Sequence, residues 1–156
     1  MLVREHSRFV EELLDEWKKF FPNGTAEEYS ETNYYLEQED WILFLSRDEE
    51  SNMYLIVDFD DNTRIVVDNF IISSELRDRG IGTKIMTSFF ITFYTYQFDM
   101  IELMDKSCGF WKSLANQPKI KRIWSTSNQQ KFHACPPRRN EETSNPVHVV
   151  FKRNNI

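Results

Sequence analysis

Arg77 and Arg79 flank Asp78 in the segment Arg77-Asp78-Arg79-Gly80-Ile81-Gly82, which holds two of only four glycines in 156 residues. The chemistry such a grouping suits is capture of an anion. Gly80 and Gly82 admit backbone angles and close approach that a Cβ would block, and the guanidinium groups supply fixed charge and multidentate donors. Before the segment, Ile65, Val66, Val67, Phe70, Ile71 and Ile72 make a β-branched, aromatic run of strand length. After it, Ile85, Met86, Phe89, Phe90, Phe93 and Tyr94 recur on one helical face. A helix starting here turns unpaired N–H groups and the positive end of its dipole towards the loop, which favours phosphate. From these residues alone, an ordinary strand-to-helix turn using glycine for geometry is the competing reading.

Order and spacing say more. Arg77-x-x-Gly80-x-Gly82, after an apolar strand and opening an amphipathic helix, resembles the acetyl-CoA signature Q/R-x-x-G-x-G/A of the GNAT superfamily of N-acetyltransferases. It is neither the dinucleotide fingerprint G-x-G-x-x-G nor a P-loop, since no Gly-Lys-Ser/Thr follows. The resemblance covers roughly residues 50 to 116. It implies that N–H groups around Leu76, Arg77, Asp78, Arg79, Gly80, Ile81, Gly82 and Thr83 cradle the pyrophosphate of coenzyme A. It also implies that the strand carrying Phe70, Ile71 and Ile72 splays from its neighbour to bond the pantetheine arm, and that Trp111 adjoins the coenzyme. The implied activity is transfer of an acetyl group from acetyl-CoA to a primary amine, by direct attack in a ternary complex.

That reaction needs a neutral amine, a stabilised oxyanion and protonation of the departing thiolate. Period-two alternation puts Asp68 on a strand face with Val66, Phe70 and Ile72. Several members of the resembling family have a catalytic Glu where Val66 stands, so Asp68 is the first candidate base and Glu102 on the next strand the second. Pairing of Asp68 with Arg64 is the structural alternative. Phe110-Trp111 falls where the family has Phe-Tyr, and an indole N–H is no acid at neutral pH. The proton donor is then Ser107, Cys108 or a water, or departure is unassisted; Ser107 is the candidate taken forward. Cys108 reads as a small buried apolar residue, with no His nearby in sequence to activate it. His133-x-Cys135 lacks a second ligand pair, so no metal is expected. Trp111 also favours an alternative function, a catalytically degenerate GNAT-like module that binds coenzyme A or another protein.

The elements that must position these groups follow from periodicity. Phe9, Val10, Leu13, Leu14, Trp17, Phe20 and Phe21 mark a helix from about Val3 to Phe21, ended by Pro22-Asn23-Gly24. Thr25 and Glu28 form a capping-box pattern that predicts a second helix running towards Leu36; Tyr29, Tyr34 and Tyr35 on it pack or line an acceptor cleft. Trp41–Ser46, Met53–Phe59 and the strand before the loop read as an antiparallel meander. Met100–Met104 reads as a strand parallel to the last of these, with Glu102 facing away from Ile101 and Leu103. Ile120–Trp124 and Val147–Phe151 read as a closing strand pair, separated by a polar loop with Pro136-Pro137-Arg138-Arg139. The expected fold is α+β in three layers: a GNAT-like mixed, mostly antiparallel sheet with helices on both faces and its first strand missing or vestigial. One domain is expected over 1–156, with 1–40 an acceptor-side helical region, 41–116 the cofactor core and 117–156 the closing strands and loop.

Composition sets the outer limits. A chain that is 40% hydrophobic with 13 Phe buries a large aromatic core and is not a disordered one. It has no apolar run of membrane length and its first residues do not read as a signal peptide; with two cysteines and no disulfide framework expected, the reading is cytoplasmic. Residues 1–60 carry 16 acidic and 5 basic side chains, and residues 61–156 carry 9 acidic and 14 basic. That asymmetry points weakly to a cationic amine acceptor and favours a polyanionic donor, acetyl-CoA. Arg138 and Arg139 pull the other way, towards an acidic group. The basic clusters at 119–122 and 138–139 have no interleaved aromatic motif, so neither nucleic acid nor membrane is expected as a partner; a homodimer is compatible with the chain.

Overall fold

The computed structural model describes residues 3–35, 37–58, 64–77, 79–135 and 145–155. Its apolar face brings helix α1 (Val3–Lys18) onto a sheet whose strands are β1 (Thr25–Asn33), β2 (Gln38–Asp48), β3 (Ser51–Asp58), β4 (Arg64–Ile71), β5 (Met100–Asp105), β6 (Trp124–Thr126) and β7 (Val147–Arg153). The other helices are α2 (Ile81–Thr95), α3 (Phe110–Ala115) and α4 (Pro118–Ile123), with a 3-10 turn at Ser74–Leu76. Strand order is β1-β2-β3-β4-β5-β7-β6. Every pairing is antiparallel except β4 with β5. The mixed, mostly antiparallel sheet and the parallel β4–α2–β5 unit are those expected.

The N-terminal region departs from expectation. Thr25–Asn33 is not a second helix but an edge strand, in register with β2 from Thr25↔Ser46 to Asn33↔Gln38. A capping box is worth about 1 kcal/mol, and the segment's Thr and Tyr suit a strand; pairing along the whole of β1 with the otherwise open edge of β2 outweighs the local helical signal. No strand precedes α1 among the described residues. The sheet nevertheless has seven strands, because the segment after α1 supplies the edge.

Leu43, Leu55, Val67, Leu103 and Val149 are cross-strand partners on one face. This face forms a single buried cluster with Phe9, Leu13 and Trp17 of α1, Phe89, Phe90 and Phe93 of α2, Trp111 and Leu114 of α3, and Ile120 of α4. The opposite face carries Ile42, Ile56, Val66, Glu102 and Val150, none of them in that cluster. The described helices therefore pack on the first of these faces, within the mixed α+β fold expected. Phe90 centres the core, its ring 5.0 Å from that of Phe151 and 6.3 Å from those of Trp111 and Trp124. The Trp124 indole donates to the Phe90 carbonyl at 3.0 Å, which satisfies a buried N–H.

The closing region is also corrected in part. Pro118 opens α4 at a position where its fixed φ and missing N–H suit a helix, so Ile120 to Ile123 are helical and only Trp124 begins a strand. Pro136, Pro137, Arg138 and Arg139 lie outside the described residues. No helix among the described residues is long and apolar enough to cross a membrane.

Candidate functional site

Between β4 and β5 the sheet opens. Their pairing runs from Arg64↔Met100 to Val67↔Leu103 and ends there. Beyond that point β4 stays with β3 as far as Ile71↔Asn52, and β5 stays with β7 as far as Asp105↔Val147. A bulge accompanies the parting: Leu55 pairs with Val67 but Tyr54 with Asn69, so Asp68 is an extra residue. The bulge breaks the alternation assumed from sequence. Phe70 pairs with buried Met53 and faces the helices, while Val66 pairs with Ile56 on the other face, so Asp68, Val66 and Phe70 do not share one face.

The loop entering α2 lies at the end of β4. Gly80 is its N-cap with φ 73°, in the left-handed region, and open space surrounds the position a Cβ would take. No side chain caps the helix and no acidic residue lies in its first turn, so the first-turn N–H groups keep their affinity for an anion. The Arg77 guanidinium donates to the Ile72 carbonyl at 3.0 Å; Arg79 is exposed, and Asp78 lies outside the described residues. Gly82 has a different surrounding. A Cβ there would stand 3.3 Å from the Phe110 ring and 3.6 Å from that of Phe70, so α3 packs its aromatic start against the loop. The Ser73 N–H, between β4 and the turn that carries Leu76, donates to the Ser51 hydroxyl at 2.9 Å. The Ser73 hydroxyl itself is buried without a partner among the described residues.

Asp68 is exposed and makes no ion pair among the described residues. Arg64 instead pairs with Glu102, at 3.1 Å on the uncovered face. Near Asp68, Tyr29 is held above the usual tyrosine pKa, first by burial and then by Tyr54, Glu31, Glu27 and the Asp68 charge. Phe44 and Tyr54 stack alongside at 4.3 Å. Ser107 is engaged: its hydroxyl and its N–H both donate to one oxygen of Asp105, at 2.7 and 2.8 Å. Trp111 is buried against Phe70, Phe90 and Phe110.

Asp105, which sequence reasoning passed over, and His133, weighed there only as a metal ligand, organise this end of β5. Asp105 is fully buried, and its second oxygen accepts the His133 N–H at 3.0 Å. The His133 ring bonds the Ser107 carbonyl through Nδ1 at 2.7 Å. Alternation did carry a signal for Asp105, which follows Ile101 and Leu103 on the core face; nothing in sequence linked it to His133. The reading of the cysteines is corrected. Cys108 and Cys135 are both exposed and form a disulfide, their Cα atoms 5.1 Å apart, so Cys108 is not a buried apolar residue. The closure spans 27 residues that no local pattern connects. Along the uncovered face, Met100, Glu102, Ser125, Thr126, Ser127, Gln130, Val150 and Lys152 line a groove of about 520 Å³.

The chain is similar in fold to solved acetyltransferases. One is an acetyltransferase of Bacillus subtilis in complex with CoA, 11% identical over 83% of this chain and 99% of that one, with a TM-score of 0.45. Another, a GNAT family acetyltransferase of Elizabethkingia anophelis with acetyl-CoA bound, is 9% identical over 83% and 98%, with a TM-score of 0.44. A GNAT family acetyltransferase of Staphylococcus aureus Mu50 is 11% identical over 98% and 95%, with a TM-score of 0.37. No protein-family model and no curated protein matches the sequence. At this level of likeness the chemistry rests on the residues of the chain itself.

Proposed function

We propose that the chain is an acetyl-CoA-dependent N-acetyltransferase acting on a primary amine by direct attack in a ternary complex, in the cytoplasm. One observation carries the proposal: β4 and β5 part beyond Val67 and Leu103, next to a helix N-terminus left uncapped behind a left-handed glycine. The donor contributes an activated acetyl group as a thioester. In this reading the N–H groups of Ile81, Gly82 and Thr83 take its diphosphate, with Leu76, Arg77, Asp78, Arg79 and Gly80 completing the loop. Phe70, Ile71 and Ile72 on the unpaired side of β4, with Trp111 behind Phe70, flank its arm.

Asp68, exposed beside the gap, accepts the proton that the amine must lose. Glu102 is second in line because Arg64 already holds it. Ser107 returns a proton to the leaving group only by giving up its bond to Asp105. The acidic and aromatic surroundings of Tyr29 and Asp68 suit a cationic acceptor, drawn in as its ammonium and neutralised at Asp68.

Trp111, buried at the position where the resembling family has tyrosine, favours a second reading, a module that binds coenzyme A without turning it over. Calorimetry with acetyl-CoA, followed by an acyl-transfer assay over a panel of amines, separates the two. Binding with turnover supports the enzyme and binding without turnover the module; no binding overturns both.

A further inference from the structure

We propose that Cys108–Cys135 is a reversible redox clamp that sets the coenzyme affinity of the site. The inference rests on the coenzyme reading above for its functional consequence, but not for the clamp itself. Both cysteines are exposed, and exposed disulfides are the labile, regulatory ones, whereas structural ones resist reduction. In a reducing compartment a disulfide that persists is usually transient or sensing.

Its position gives it leverage. Cys108 lies two residues before Phe110, the first residue of α3, and Gly109 between them is an N-cap with φ 96°. A short link therefore joins the sulfur to the rings that pack on Gly82 and Phe70. Cys135 ends a strap that runs back from β6. The strap is tied to β7 where Gln130 donates to the His148 carbonyl at 3.1 Å, and to the end of β5 where the His133 N–H donates to Asp105 at 3.0 Å. With the sulfurs bonded, the 106–109 loop is fixed from two sides. With them reduced, the Asp105 and His133 contacts still hold the strap and Ser107, while Cys108 and Gly109, which open α3, lose their tie to Cys135. A binding loop ordered in advance loses less entropy when its ligand arrives, so the oxidised form binds coenzyme more tightly.

The chemistry balances with a low-molecular-weight disulfide as oxidant. One cysteine thiolate attacks that disulfide to give a mixed disulfide and release one thiol. The second cysteine then attacks the protein sulfur of the mixed disulfide, forming Cys108–Cys135 and releasing the second thiol. Two electrons pass to the oxidant, and the two cysteine protons end on its thiols. A dithiol reverses the sequence.

The test compares the full chain oxidised with glutathione disulfide and reduced with dithiothreitol. It measures amide hydrogen exchange over 106–112 and the Kd of CoA by calorimetry, with Cys135→Ser as a chain that cannot close. Expected are faster exchange over 106–112 on reduction and a CoA Kd at least about fivefold weaker, the lower end of ordinary coupling between sites. Cys135→Ser should match the reduced protein and ignore reductant. Unchanged exchange, or thiols that stay free under glutathione disulfide, overturns the clamp. Faster exchange with an unchanged Kd overturns its link to the coenzyme. Faster exchange with no CoA binding in either form upholds the clamp and removes the coenzyme reading instead. Should Cys135→Ser lose its circular dichroism spectrum, the reduced wild-type chain decides.

Discussion

Gly80 and Gly82 stand two residues apart and are glycines for different reasons. Gly80 needs a left-handed backbone in open space, so only the backbone resists a side chain there. Gly80→Val should cost about 1–2 kcal/mol of stability in urea unfolding, and Gly80→Asn clearly less, since Asn tolerates that conformation. At Gly82 the obstacle is the Phe110 ring, 3.3 Å from an added Cβ. Gly82→Leu should lower both stability and CoA affinity, and Phe110→Leu alongside it should restore part of the stability. The glycine pair was legible in sequence; its contact with Phe110 was not, because it joins residues on separate elements. Asp68 was legible as a carboxylate near the gap, but not its face, because a bulge has no composition signature here. If Asp68 is the base, Asp68→Asn should lower turnover by about 10²–10⁴-fold in steady-state kinetics, with little change in CoA affinity by calorimetry.

Elements were legible where one pattern dominated. Helix α1, the meander β2–β4 and the β4–α2–β5 unit each follow from periodicity alone. Thr25–Asn33 and Pro118–Ile123 were misread because their local signals were weaker than their setting: the first had an open strand to pair with, and the second was β-like in side chains but opened with proline. The packing of α1 on α2 offers a pH test. Burial would raise the Glu16 pKa, yet hydrogen bonds from Lys19 and Ser88 and the Lys19 charge outweigh it, so this carboxyl titrates below the ordinary glutamate range. Its contribution to stability is then present above the unfolded-state pKa and lost as pH falls through the lower folded value. Glu16→Gln should reduce stability at pH 7 and flatten its fall as pH drops through the acid range, as read by thermal unfolding. In the core that these helices share, Phe90→Ala should cost about 3–5 kcal/mol in denaturant unfolding.

Across the whole molecule, sheet order converts a sequence asymmetry into a spatial one. Strands β1, β2 and β3 come from the acidic first 60 residues and lie together at one end, while β4, β5, β7 and β6 come from the basic remainder. A cationic acceptor drawn to the acidic end should show a KM that rises with salt, since screening shortens the reach of surface charge to about 8 Å at physiological ionic strength; a flat response in steady-state kinetics would remove that preference. Closing 27 residues with a disulfide should stabilise the fold by about 3–4 kcal/mol on the chain-entropy model, measurable as a shift in urea midpoint on reduction. The sheet and its parallel β4–β5 pair could be read from the chain, but which face the helices take could not, and Thr25–Asn33 was misread as one of them. That same segment has a consequence for handling the protein. An outermost strand offers bare main-chain groups to any neighbour's strand, and here Glu27, Glu28 and Glu31 project from it. Carboxylates along an open edge discourage two molecules from zipping together. Replacing the three with Gln should lift that guard, and light scattering should then reveal growing aggregates while the aromatic interior stays folded.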